Sequence, residues 1–140
     1  MEAGVITAVF DSNVIVSGLI WRGESYLCVV SQARRQVRVF ASEWIIEEVR
    51  RSIKEIETSK RIPRDPWPGF NWFCHAAKLI EPAPMGKQRS RDPQDDPILG
   101  TALAGHVKAV VTRDNDLLEL GKPFGIEILH PRDFLRKLNR

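Results

Sequence analysis

The sequence predicts an α/β domain with a mainly parallel central sheet, and three observations carry that prediction. Short apolar runs alternate with segments of helical periodicity along the whole chain. The runs are apolar throughout and rich in β-branched residues, as strands covered on both faces are. No internal repeat, low-complexity segment or linker divides the 140 residues, so residues 1–140 read as one domain, long enough to bury a real core.

Residues 5–10 form the first expected strand, ended by Asp11-Ser12-Asn13. Those polar residues also start helices well, and Val14 to Ile20 reads as a short helix. Ser25 to Arg35 reads as a second helix, with Leu27, Val30 and Ala33 or Arg34 near one face. Residues 37–40 read as a second strand, and Ser42 as the cap of a helix over about 43–56. The stripe of that helix is Ile45, Ile46, Val49, Ile53 and Ile56. At about 100° per residue, Glu47 points away from the stripe and Glu48 lies on its flank. Prolines interrupt residues 57–91, where Trp67, Phe70, Trp72 and Phe73 suggest a short packed helix. These aromatics suit base stacking, core packing or a dimer contact. Asp96 fits the cap and Pro97 the first position of a helix over about 97–105, with Ile98, Leu99, Ala102 and Leu103 inward. Residues 108–111 read as a strand, 116–120 as a helical turn, 126–129 as a last strand, and Pro131 opens a terminal helix.

Composition narrows the function. Apolar content of 43% and charged content of 28% fit an ordinary soluble globular protein. No run approaches the roughly 18–20 apolar residues that span a bilayer, and the N-terminus lacks a signal-peptide pattern. Cys28 and Cys74 form no CxxC pair, which disfavours structural zinc and fits a reduced, cytoplasmic setting. A net charge of +3 is mild, but the basic residues cluster, as at Arg50-Arg51-Lys54. Such clusters suit a nucleic-acid backbone, or simply solvated surface.

The acids are the informative residues. Asp11 follows one apolar run, and Asp114 and Asp116 follow another; Asp95 and Asp96 precede a helix, and Glu48 flanks a core stripe. In a parallel sheet, residues past the strand ends share one crevice. Acids gathered there repel one another unless a cation neutralises them, so a hard divalent metal is the expected partner. Such an ion suits phosphodiester chemistry. Asn13 and Thr112 are placed to orient a carboxylate or a water, and Ser17 reaches the same rim from the helix that follows. With Asp96 spent on capping, Asp95 is the freer acid. Each residue also has a plainer reading: Asp11 as a helix cap, Glu48 as a surface acid near Arg51 or Ser52, and Asp114-Asn115-Asp116 as a turn.

Four segments together resemble a known family. They are Val9-Phe10-Asp11-Ser12-Asn13-Val14, Ser42 through Val49, Asp92 through Pro97, and Val110 through Leu118. In order and spacing they resemble the PIN domain, and within it the VapC-like toxins of toxin–antitoxin systems. The resemblance implies a three-layer α/β/α sandwich and a Mg²⁺- or Mn²⁺-dependent ribonuclease. It places the family's acids on Asp11, Glu48, Asp95 (with Asp96 as rival) and Asp114. Asp116 falls on an auxiliary ligand and Thr112 on the small polar residue beside the fourth acid. It further implies an RNA substrate, a cognate antitoxin and a homodimer. Arg113, Arg50 and Arg51 are candidates for the RNA backbone.

Competing classes fit less well. A haloacid-dehalogenase-type phosphatase needs a second aspartate where Asn13 stands, and a receiver domain needs a phosphoacceptor at a middle strand. A nucleic-acid-binding module without turnover stays open. His75, His106 and His130 are not placed as an evident general base, so water activation would fall to metal.

Overall fold

The structure is a computed structural model and describes residues 5–84 and 96–139. Its centre is a five-stranded parallel sheet of β1 (Ile6–Phe10), β2 (Val37–Ala41), β3 (Lys78–Leu79), β4 (Ala109–Val111) and β5 (Glu127–Leu129), in spatial order β3-β2-β1-β4-β5. The chain builds outward from β1 through β2 to β3, then crosses back to lay β4 on the other flank of β1. Strand order therefore reverses between β1 and β4. That reversal opens a crevice beyond the carboxyl ends of those two strands, because their connections leave in opposite directions.

Among the described residues, seven α-helices accompany the sheet: α1 (Ser12–Ile20), α2 (Glu24–Ala33), α3 (Glu43–Ser59), α4 (Trp67–Ala76), α5 (Asp96–Ala104), α6 (Asn115–Leu118) and α7 (Pro131–Leu138). They lie on both faces. Phe10 meets Phe134 of α7 edge to face, with ring centroids 5.9 Å apart. Phe40, whose register partner is Val9 and not Phe10, points the other way and packs under Gly105, just past α5. Helices on both sides leave β4 and the last three residues of β1 without solvent contact, which is why every position from Ala8 to Phe10 and from Ala109 to Val111 is apolar.

The expected elements are present, with bounds shifted by a residue or more. Three differences are informative. The face of α2 is not the expected Leu27, Val30 and Ala33/Arg34 stripe: Leu27 is exposed, and Ser25, Cys28, Val29, Ser31 and Gln32 face inward. The cause is close packing of α2 on α1. A Cβ built on Gly18 would lie 2.8 Å from both the Ser25 carbonyl oxygen and Val29 Cγ2, so small and polar residues take the contact. Ser42 precedes α3, but its hydroxyl makes no capping bond; it accepts from Thr101 Oγ1 at 3.0 Å and ties α3 to α5. Lys78-Leu79, which carries no strand signal in the sequence, pairs beside Phe40 and Ala41 as an edge strand. The aromatic segment resolves mostly as core, with Phe70 and Phe73 buried and Trp67 donating to Glu57 at 2.8 Å.

Phe134→Ala is expected to cost about 3–5 kcal/mol, because Phe134 is fully buried against Phe10. Leu27→Ala on the exposed side of α2 should stay within about 0.5 kcal/mol. Urea unfolding of both variants checks the assignment of the α2 face; a large loss for Leu27→Ala would reverse it.

Candidate functional site

The site begins with strand register. Phe10 pairs with Val111, so the next residues, Asp11 and Thr112, emerge side by side at the β1–β4 reversal. The Asp11 N–H donates to the Val111 carbonyl at 2.9 Å, and the Thr112 N–H to the Leu129 carbonyl at 2.9 Å, fixing both backbones. Asp11 precedes α1, and its carbonyl accepts the N–H groups of Val14 and Ile15. Its carboxylate makes no capping bond and remains available.

That carboxylate is held from two sides. Thr112 Oγ1 donates to Asp11 Oδ2 at 2.7 Å, and Asn13 Nδ2 donates to the same oxygen at 3.2 Å. The Thr112 hydroxyl also accepts the Asp114 N–H at 3.0 Å, using a lone pair its single proton leaves open. Asp114 Oδ1 in turn accepts the Asp116 N–H at 2.9 Å and starts α6. One relay of bonds thus sets Asp11 and Asp114 with respect to each other. The turn expected at Asp114-Asn115-Asp116 is real, but it uses one oxygen of Asp114; Oδ2 has no hydrogen-bond partner among the described residues.

Electrostatics at Asp11 are unfavourable to its charge. The residue is 5% exposed and has no ion pair among the described residues. Burial pushes its carboxyl above the usual range, and the negative charge of Asp114 pushes it further; hydrogen bonds from Thr112 and Ser12 offset part of this.

A PIN domain model matches residues 7–116, from the second residue of β1 to Asp116. The chain belongs to the PIN domain family. PIN domains are a nuclease fold superfamily, and their members generally use divalent metal. The crystal structure of PAE2754 from Pyrobaculum aerophilum has the same fold at a TM-score of 0.62, covering 98% of this chain and 93% of that one at 15% identity. Among curated proteins, none matches the chain.

The other candidates of this PIN domain stand as follows. Glu48 lies on the flank of α3, with 18% of its side chain exposed against 66% for Glu47, as helix geometry required. Glu48 pairs with Arg51 and Glu47 with Arg50, so both arginines already hold carboxylate partners. Asp95 lies outside the described residues. Asp96 lies in the first described turn of α5. Arg113 is exposed beyond its Nε, which donates to buried Ser25 Oγ at 3.0 Å. Sequence reasoning missed Ser25 as the anchor of Arg113, since a serine at a helix start reads only as a capping residue. The histidines stand elsewhere: His75 Nδ1 lies 2.7 Å from the Asn71 carbonyl oxygen on α4, and His130 Nδ1 accepts the Arg132 N–H at the start of α7.

Among the described residues, no three Asp, Glu, His or Cys side chains gather closely enough to hold a metal. What they provide is a pair, Asp11 and Asp114, with hard oxygen donors and uncompensated negative charge. That donor set suits Mg²⁺ or Mn²⁺ completed by waters and one further acid. It does not suit zinc, which prefers histidine and thiolate.

The raised carboxyl at Asp11 sets a pH dependence. Folding disfavours the charged form, so the folded protein binds more protons than the unfolded chain above the ordinary value of 3.8. Stability conferred by the neutral form is lost as pH rises through the folded value. Asp11→Asn should therefore raise the metal-free Tm at neutral pH, and the gain should shrink as pH falls toward 3.8. Differential scanning calorimetry in EDTA across that range checks it; a lower Tm for the variant at neutral pH contradicts it.

Proposed function

We propose that this PIN domain is a Mg²⁺- or Mn²⁺-dependent endoribonuclease and the toxin of a toxin–antitoxin pair. One observation supports this reading above the rest: a buried carboxylate without a cationic partner, held in place by a threonine and facing a second carboxylate. A structural role would have given Asp11 a lysine or arginine. Asp11 and Asp114 would hold the ion, with Asp95 or Asp96 and Asp116 completing the set. When bound, a divalent ion supplies Lewis-acid stabilisation of charge on a phosphodiester.

The chain's own residues supply position and binding. Thr112 keeps Asp11 Oδ2 fixed and sets Asp114 through its N–H, so neither carboxylate has to reorganise around the ion. The Asn13 amide restrains the same oxygen. Arg113, anchored on Ser25 between Thr112 and Asp114, is placed to bind a phosphate of the RNA strand. Arg51 is exposed in its pair with half-buried Glu48, and half-buried Arg50 pairs with exposed Glu47; a phosphate backbone can compete with such partly solvated pairs. Glu48 would join the site by releasing Arg51. The toxin role, the antitoxin partner and a homodimer rest on the motif resemblance alone.

A second reading is RNA binding without cleavage, and the Glu48–Arg51 pair favours it. RNA digestion separates the two. Purified protein should cleave RNA with Mg²⁺ or Mn²⁺ and stop in EDTA, Asp11→Asn and Asp114→Asn should abolish cleavage, and Thr112→Val should lower it by about 10–100-fold. RNA retention without cleavage in either metal would establish the second reading. For the toxin role, expression should arrest growth, and a small neighbouring gene should relieve the arrest.

A further inference from the structure

The turn between α1 and α2 stands at the rim of the carboxylate site. Arg113, the residue after Thr112, ties it there: its Nε donates to Ser25 Oγ at 3.0 Å, and Ser25 is 1% exposed in the first turn of α2. The two helices meet at 92°, so the turn, Trp21-Arg22-Gly23, forms a corner and is exposed throughout. A Cβ built on Gly23 would meet nothing within 4 Å, so the corner stands in open space. The nine residues of α1 separate Trp21 from Asp11. At about 1.5 Å per residue, that is about 14 Å.

Rings and cations alternate along this corner. Trp21 is 37% exposed, and the Lys60 ammonium lies 5.7 Å from its ring centroid. Lys60 follows the end of α3, and Arg64 holds that stretch of chain against α1 by donating to the Ile20 carbonyl at 2.9 Å. On the other side of the turn, the Arg22 guanidinium lies 4.6 Å from the Tyr26 ring centroid and donates to the Tyr26 hydroxyl at 2.6 Å. Arg22, Lys60 and Arg113 form no ion pair among the described residues. Of the acids nearby, Glu24 is half-buried in the first turn of α2, where the helix dipole favours it. Glu57 and Asp65 both accept from Trp67. Two of the three cations are thus placed by aromatic rings, which position a charge without cancelling it.

We infer that this corner is a platform for single-stranded RNA running out of the carboxylate site, with a base stacked on Trp21 and successive phosphates on Arg113, Arg22 and Lys60. Aromatic side chains stack on any base while cations follow the backbone, the chemistry of sequence-tolerant single-strand binding. The span of about 14 Å equals about four steps of 3.4 Å along a stacked strand. A duplex keeps its bases stacked on one another and offers none to Trp21. The inference rests on RNA as the substrate, as proposed above, and adds which form of strand binds and where it leaves the site.

Fluorescence titration of the whole protein with RNA in EDTA, so that binding is read apart from cleavage, tests the inference. The probes are octa-adenylate, octa-uridylate and an RNA duplex of about 12 base pairs. Both single strands should quench tryptophan emission and bind more tightly than the duplex. Trp21→Ala should weaken both by about fivefold or more. Trp21→Phe, which keeps a ring, should retain binding and lose the quenching. Lys60→Ala should reduce the slope of log K against log salt by about 0.7. Both side chains are exposed, so Tm should hold in each variant. Equal binding by Trp21→Ala and wild type, duplex binding as tight as single-strand binding, or no binding of either octanucleotide would overturn the inference. Binding that depends on Trp21 in a protein that cleaves no RNA with Mg²⁺ or Mn²⁺ would support the platform and remove the nuclease reading. Cleavage of single-stranded RNA by Trp21→Ala with KM unchanged would overturn the platform and leave the nuclease reading intact.

Discussion

A carboxylate buried at the end of the central strand, with no cation beside it, is the constraint around which this end of the molecule is arranged. Asp11 cannot leave the interior, because its own N–H closes the last β1–β4 contact and its carbonyl starts α1. Its side chain must therefore be stabilised where it stands. The Thr112 hydroxyl does part of this, and by accepting the Asp114 N–H it also fixes the second acid. The remaining negative charge is what a divalent ion would neutralise. A fold that needed only a helix cap here would have set the carboxylate on the second or third N–H of α1; Asp11 makes no such capping bond.

Topology puts the relay where a substrate can reach it. The chain finishes one side of the sheet before starting the other, and β1 and β4 meet at the reversal. Helices cover both faces, so the open end above these strands is the place where polar side chains can be both fixed by the sheet and reachable from solvent. The membership in the PIN family and the shared fold with PAE2754 agree with that arrangement.

Sequence legibility followed physical locality. The ends of β1 and β4 could be read because buried parallel strands are unbroken apolar runs, and a carboxylate that ends one is conspicuous; Asp11, Thr112 and Asp114 were placed at the strand ends in this way. Glu48 was distinguished from Glu47 because a 17-residue helix with a clean apolar stripe defines its flanks. The face of α2 was misread because its buried residues include two serines and Gln32, chosen by how closely α2 crosses α1. No local pattern announces a crossing distance. β3 was invisible because two residues carry no periodicity, and their strand character comes wholly from Phe40 and Ala41 alongside. The preference for Asp95 over Asp96 turns on the cap of α5, which falls at the edge of the described residues.

The central claim is that Asp11 is kept as an uncompensated carboxylate in order to hold a divalent cation. Titration of the metal-free protein with Mn²⁺, followed by calorimetry, addresses it without reference to any substrate. The wild-type protein should bind Mn²⁺ saturably, and Asp11→Asn, with the Thr112 contact still available to its amide oxygen, should lose that binding. Equal Mn²⁺ binding by the variant and the wild type would contradict the account.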